Sequence, residues 1–366
     1  MRPIGLYIHV PFCDGKCPYC DFYSLRADEE TMDAYVTAVK RELACFGAQL
    51  GRRADTLYFG GGTPSLLGAA RLCELADAAR AVFGLEGAEI TAEVNPCTGG
   101  GLDFAALRAG GFNRLSVGLQ SANEEELRCL GRRHGAQDAA VTLGRARAAG
   151  FANLSLDLML AIPGQTEESL RRSVRFCREA GARHVSAYLL KLEEGTPFFA
   201  RRDALALPDE EGQRRLYLAV CEVLGGAGFA QYEISNFSEP GCESRHNLKY
   251  WNGEEYLGIG PSAHSFLEGR RFHSPRSLES FLRGTERTDD GTGGDGEEYA
   301  MLRLRLCEGL ERARYRERFG CDYPASYDGN ARRFEKAGLL TCDERGIRLS
   351  REGFLVSNEL IGEILL

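Results

Sequence analysis

No stretch of the 366 residues approaches the roughly 20 apolar positions of a membrane-crossing helix, so no integral helical span is expected. No secretory leader is expected, because charged and motif residues begin at once. Lysine is scarce beside arginine. The pairs Arg52-Arg53, Arg171-Arg172 and Arg332-Arg333 read as solvated helix faces rather than a binding patch. There is no basic excess either. A net charge of −8 and a pI of about 5.5 exclude a broad electrostatic attraction to nucleic acid. Cysteine, by contrast, is abundant. Thirteen is an odd count, and ten of the thirteen are scattered from Cys45 to Cys342. Without a leader this argues against a disulfide framework and for a reducing, cytoplasmic location. The scattered thiols read as small buried hydrophobes. Hydrophobic residues make up 43% of the chain, ample for a large core.

Strand patterns occur at residues 4–10, 55–59, 89–94, 113–119, 153–160 and 184–190. Helical patterns lie between them, at 29–50, 69–83, 104–109, from 124, 137–149 and 167–180, and another follows at 209–225. Six strands alternating with helices predict an α/β fold with a parallel sheet, either a partial (βα)6 barrel open along one side or a doubly wound sheet. The polar and glycine-rich residues cluster just past the strand ends, where the reactive face of such folds lies. The expected organisation is a barrel over 1–230, an aromatic and glycine-bearing segment over 231–283 packing on it, and a polar linker over 284–298. A small winged-helix-like domain is expected over 299–366: a helix over 297–319, another over 330–337, a hairpin around 343–346 and a closing helix. This unit lacks a concentrated basic face, so a packing role is expected of it.

Cys13, Cys17 and Cys20 share one loop, with three and then two residues between them. Thiolates at this spacing converge on one metal centre. Three ligands leave one iron of a four-iron cluster open. The rival is a structural zinc on the same three cysteines plus His9. Gly60-Gly61-Gly62-Thr63-Pro64 sits between a strand and a helix, where glycine lets backbone approach a ligand. It has neither the lysine of a P-loop nor dinucleotide spacing, and alone it reads equally as a tight turn. Glu93, Gln120, Arg132 and Asp157 lie near strand ends. Singly they read as caps or surface charges; together they suit a zwitterionic, ribose-bearing molecule. His246-Asn247-Leu248-Lys249-Tyr250-Trp251 holds the only tryptophan. It reads either as a haem-ligating segment or as a packing cluster sealing the barrel's open side.

Taken together, CDGKCPYC after YIHVPF, with LYFGGGTPS, EVNP, RLSVGLQS, LGRRH, LDLMLAIPGQT and GIGPSAHSF, resembles the radical S-adenosylmethionine superfamily. The likeness extends along nearly the whole chain. It points to the branch of oxygen-independent coproporphyrinogen III oxidase, and CDF with HNLKYW is most similar to the HemW-type haem chaperones. The resemblance implies a radical-SAM barrel and a [4Fe-4S] cluster on Cys13, Cys17 and Cys20. It implies S-adenosylmethionine held by Gly61, Gly62, Thr63 and Glu93, with Tyr7 and Tyr19 beside the cluster. Gln120, Arg132 and Asp157 match positions that hold a second such molecule in the oxidase relatives. His246 would be the haem ligand, within a motif that includes Asn247, Tyr250 and Trp251.

Two departures set the chain apart from the oxidase. Phe22 stands where that enzyme has a further cysteine, and only six residues precede Tyr7 where the enzyme has a long extension. The expectation is therefore a chaperone that binds haem and passes it to haem-accepting, often respiratory, proteins, with flavodoxin or ferredoxin as reductant. A coproporphyrinogen III decarboxylase and a zinc-stapled protein are the alternatives. Whether the chain cleaves S-adenosylmethionine stays open at this level.

Overall fold

The computed structural model describes residues 2–366. Six parallel strands lie where the alternating pattern places them: β1 Ile4–Val10, β2 Ala54–Gly61, β3 Glu89–Val94, β4 Arg114–Gln120, β5 Asn153–Leu160 and β6 His184–Leu189. The period of two divides each strand between two faces. One face carries Leu6, Ile8, Leu57, Phe59, Ile90, Ala92, Leu115 and Val117, all buried. Helices Glu29–Leu50 and Gly68–Phe83 cover part of it. The other face is polar. Tyr7 pairs with Tyr58, Tyr58 with Thr91, Thr91 with Arg114 and Asp157 with Ser186, so a row of polar side chains lines the concave lumen.

The strands do not close. One mixed twelve-stranded sheet runs β12-β11-β10-β9-β1-β2-β3-β4-β5-β6-β8-β7. Its added strands are β7 Ala230–Gln231, β8 Asn236–Ser238, β9 Tyr256–Ile259, β10 His264–Leu267, β11 Arg270–His273 and β12 Thr288–Thr292. The barrel is thus partial and open, as the six-unit count predicts. The expectation for 231–298 needs correcting. The segment extends the sheet at both edges, and the stretch read as a 284–298 linker contains β12, paired antiparallel with β11. Thr-Asp-Asp-Gly-Thr has a linker's composition because an exposed edge strand carries charge and glycine that discourage further pairing.

Past β12 the helix expected over 297–319 is two helices, Gly296–Arg303 and Arg312–Phe319. Gly309, at φ 72°, turns the chain between them into β13 Leu310–Glu311. The buried guanidinium of Arg303 fills this break, donating to Asn252 Oδ1 and, at 3.2 Å, to the Gly309 carbonyl. Helix Ala325–Glu335 and the strands β14 Leu340–Asp343 and β15 Gly346–Leu349 follow, forming a three-stranded β13-β15-β14 sheet. Helix Ser357–Leu365 packs back on Ala325–Glu335. One hydrophobic core runs from Ile4 through to Ile364. Among the described residues no helix is long and apolar enough to cross a membrane.

Candidate functional site

The cysteine loop leaves the C-terminal end of β1 and is tied down on both sides by backbone. Cys13 N donates to Leu25 O at 2.9 Å and Leu25 N to Pro11 O at 2.8 Å. Gly62 N reaches Val10 O at 2.8 Å and Thr63 N reaches Phe12 O at 2.7 Å. The glycine turn is therefore stitched to the cysteine loop. A side chain on Gly62 would put Cβ 2.6 Å from Phe12 O and 2.9 Å from Val10 O, so only glycine fits. Gly61 has φ 108° and lies against the His9 ring.

Cys13, Cys17 and Cys20 are free thiols, all partly exposed on this loop. Thr63 Oγ1 lies 3.1 Å from Cys13 Sγ, and an Arg132 guanidinium nitrogen 3.7 Å from Cys17 Sγ. Among the described residues, one set of three metal-binding groups has its ligand atoms within 4.8 Å of one another, and it is not this one. At least one pair of the three sulfurs therefore stands more than 4.8 Å apart, farther than the roughly 4 Å between thiolates on a single tetrahedral zinc. The spread suits a larger cluster. His9, the fourth member of the zinc alternative, is engaged at both nitrogens: Nδ1 with Tyr7 OH at 3.1 Å and Nε2 with Tyr23 O at 3.0 Å. The donor set fits an iron–sulfur cluster and argues against zinc.

Beneath the loop the lumen offers a carboxylate poised for a cation. Glu93 accepts from Tyr58 OH at 3.0 Å and from Gly61 N at 3.2 Å. Burial, and next the neighbouring Asp157 carboxylate, push its pKa up to about 8. Asp157 accepts from Ser116 Oγ at 3.2 Å, and burial raises its pKa too. Gln120 sits at φ 68°, a strained backbone for a non-glycine, and takes a 2.9 Å hydrogen bond from Tyr188 OH. Arg132 donates to Gly118 O at 2.9 Å, while its Nε is buried without a partner. Tyr19 packs edge-on to Phe198, over an apolar patch that includes Leu130, Met159 and Ile162. A buried carboxyl with no cation beside it, an under-satisfied guanidinium and a glycine turn facing the open end of the lumen fit a zwitterion carrying an ammonium and a carboxylate. Tyr19, Gly61, Gly62, Thr63, Glu93, Gln120, Arg132 and Asp157 lie at or above this level, and Tyr7, paired with Tyr58, lies just below it.

The HNLKYW segment lies elsewhere. It forms the helix Arg245–Trp251, capped by Ser244. His246 N and Arg245 N donate to the Glu89 carboxylate at 3.2 and 3.3 Å, and His246 Nδ1 pairs with Thr56 Oγ1 at 2.8 Å. Glu89 and Thr56 stand near the N-terminal ends of β3 and β2, so the helix plugs the barrel end away from the cysteines. Along β2, Thr56 is roughly 16 Å from Gly61. His246 is 1% exposed, and its Nε2 is taken by Tyr250 OH at 2.8 Å. Burial, then Lys249, lower its pKa to about 3. Tyr250 packs on Tyr256, and Asn247 and Trp251 are half-buried. In this arrangement neither imidazole nitrogen of His246 is free for iron. The helix here takes the packing arrangement that the segment also allows, with His246 bonded to Thr56 and Tyr250.

Sequence reasoning missed Thr56, Tyr58, Arg114, Ser116 and Tyr188, which surround the named residues. The signal was present: these polar side chains recur at every second position of otherwise apolar strands, which marks a polar lumen. Read one residue at a time they looked like scattered polar substitutions.

A six-stranded parallel partial barrel with a three-cysteine loop at its C-terminal mouth defines a radical-SAM-type protein. The Radical SAM superfamily model matches residues 7–177, and that of the HemN C-terminal domain matches 295–356. A Mycobacterium tuberculosis protein named heme chaperone HemW is 39% identical over 328 residues, covering 86% of this chain and 84% of that protein. The protein of that name from Bacillus subtilis is 33% identical over 372 residues, 98% of each. The solved structure of coproporphyrinogen III oxidase (HemN) from Escherichia coli, itself a radical SAM enzyme, superposes with a TM-score of 0.83. It covers 99% of this chain and 90% of that one, at 24% identity, which establishes the shared fold. The chain belongs to the radical SAM superfamily and, within it, to the HemW family.

Proposed function

We propose that this chain is a haem chaperone. It would carry a [4Fe-4S] cluster on Cys13, Cys17 and Cys20, bind S-adenosylmethionine beside it, take up haem and deliver it to haem-accepting proteins, respiratory ones among them. The supporting observation is the identity of 33–39% along most of the chain to proteins named for that role. In this reading Thr63 holds the Cys13 thiolate, Glu93 receives the ammonium of S-adenosylmethionine, and Gly61 and Gly62 leave room for its backbone-like end. Arg132 receives a carboxylate, and Gln120 and Asp157 line the lumen beyond it. The cluster supplies an electron when reduced, by a flavodoxin or ferredoxin, and the chain's residues exclude water and fix the orientation.

The alternative, a coproporphyrinogen III oxidase, has the shared fold in its favour but meets Phe22 where the resemblance calls for a fourth cysteine. The test is anaerobic. The reconstituted protein, loaded with haem, is mixed with an apo-haemoprotein, and haem is followed into the acceptor. The same protein is given coproporphyrinogen III, S-adenosylmethionine and reductant. Transfer without porphyrinogen decarboxylation is expected; decarboxylation would turn the assignment to the oxidase.

A further inference from the structure

Outside the lumen, His264, His273 and Asp290 each offer a ligand atom within 4.8 Å of the other two. They stand on the antiparallel edge of the sheet. His264 opens β10 and His273 closes β11, and the two are direct cross-strand partners, so both side chains project from one face. Their rings stack 4.9 Å apart at 29°. Asp290 comes from the third strand. Arg271 pairs with Gly291 and Phe272 with Asp289, so the register of β11 and β12 passes over Asp290, the extra residue of a bulge.

The distances suit a small d-block cation. Both Asp290 carboxylate oxygens lie 2.9 Å from His273 Nδ1, and Oδ2 lies 3.6 Å from His264 Nδ1. A tetrahedral Zn²⁺ with bonds of about 2 Å sets its ligand atoms about 3.4 Å apart. The observed separations bracket that value. The side chains are 64%, 30% and 32% exposed, so they have room to close on an ion. Ca²⁺ and Mg²⁺ take oxygen ligands, whereas two imidazoles and one carboxylate suit zinc and its neighbours in the series.

The surrounding charges leave this carboxylate uncommitted. Asp289 next to it is paired with Arg270, and Arg271, whose charge reaches His264, is paired with Glu298. Asp290 has no lysine or arginine partner among the described residues; its charged-group contacts are the two imidazoles. The other four histidines, His9, His134, His184 and His246, are at most 5% exposed and hydrogen-bonded inside the protein.

We propose that His264, His273 and Asp290 form a binding site for Zn²⁺ or a like divalent d-block ion, with water completing the coordination. The ion takes the place of the hydrogen between His273 Nδ1 and Asp290, which leaves as a proton, and ties β10, β11 and β12 together. β12 is the outermost strand and pairs with β11 alone, so a bond to its bulge braces the exposed edge. The brace continues toward the cysteine loop: past His273, Arg276 donates to Asp21 O and Leu278 N to Tyr23 OH at 2.8 Å. The inference is independent of the haem-chaperone reading.

The test titrates the full chain, its cluster assembled anaerobically, with Co²⁺ and then with Zn²⁺. One equivalent of Co²⁺ should give ligand-field absorption without the intense sulfur-to-metal band of thiolate coordination, and Zn²⁺ should displace it. His264→Ala/His273→Ala and, separately, Asp290→Asn, which keeps the shape of the edge, should each weaken binding by roughly tenfold or more. Zn²⁺ should slow amide exchange in β11 and β12 of the wild type and in neither variant. Cys97→Ser, which removes an exposed thiol, should bind as wild type. Co²⁺ bound only with a thiolate band, affinity unchanged in both edge variants, or exchange that Zn²⁺ leaves unaltered would overturn the site. So would a wild-type chain that takes up neither ion.

Discussion

Tyr250 OH and His246 Nε2 lie 2.8 Å apart, one turn along the same helix, and turn the imidazole onto the Tyr58 ring, 5.2 Å away and tilted by 26°. The pair makes the HNLKYW helix a plug for the N-terminal end of the lumen. His246→Ala should then act on stability. It leaves Thr56 and Tyr250 without partners and opens a cavity, at a cost of about 2–4 kcal/mol. His246→Gln, which keeps a donor and an acceptor, should cost less than half of that. Urea unfolding of the two variants checks this; equal stabilities would refute the plug.

Acid should expose the same contact. The unfolded imidazole protonates near 6.5, whereas burial holds that of folded His246 at about 3. Between these values the unfolded chain binds the extra proton. The contribution of His246 is whole above pH 6.5 and falls as pH drops, by about 1.4 kcal/mol per unit. From pH 7 to 5 the wild type should lose about 2 kcal/mol more than His246→Gln. The comparison between variants cancels the opposite slope of Glu93 and Glu233, whose pKa values burial raises to about 8 and about 7. Parallel stability curves from pH 5 to 7 would show that His246 is not the source.

Much of this was legible in the residues. The six barrel strands announce themselves as apolar runs bounded by helices, because strands covered by helices on one side need that hydrophobicity. The cysteine spacing and GGGTP were legible because their chemistry is local. The edge strands were not. β12 is Thr-Asp-Asp-Gly-Thr, and its identity comes from pairing with β11, a partner no single-chain pattern reveals. The role of His246 was illegible for the same reason. A histidine among aromatics does not announce its hydrogen-bond partner, Thr56, 190 residues earlier.

Thr63 should tune the cluster. Its hydroxyl lies 3.1 Å from Cys13 Sγ, and a hydrogen bond to a ligating thiolate favours the reduced, more negative cluster. Thr63→Val removes that bond at nearly constant volume. A neutral hydrogen bond contributes about 0.5–1.5 kcal/mol, so the one-electron midpoint should fall by roughly 20–60 mV. An EPR-monitored redox titration reads this directly. An unchanged or raised potential would mean that the hydroxyl does not bond the thiolate in the loaded protein.

Glu93 should give up a proton when S-adenosylmethionine binds. With its pKa near 8, the carboxyl is mostly protonated at neutral pH. An ammonium beside it favours the carboxylate and pulls the pKa down, so binding between about pH 6 and 8 releases up to one proton, and binding above pH 9 releases almost none. Calorimetry in phosphate and in Tris separates the buffer's ionisation heat and counts that proton. Glu93→Gln should abolish the release and weaken binding by about 10- to 100-fold, the worth of a hydrogen bond to a charged group. Asp157→Asn removes the second cause of the raised pKa and should move the release window to lower pH while leaving the proton count near one. Heats that do not depend on buffer across this range would mean that the ammonium does not meet Glu93.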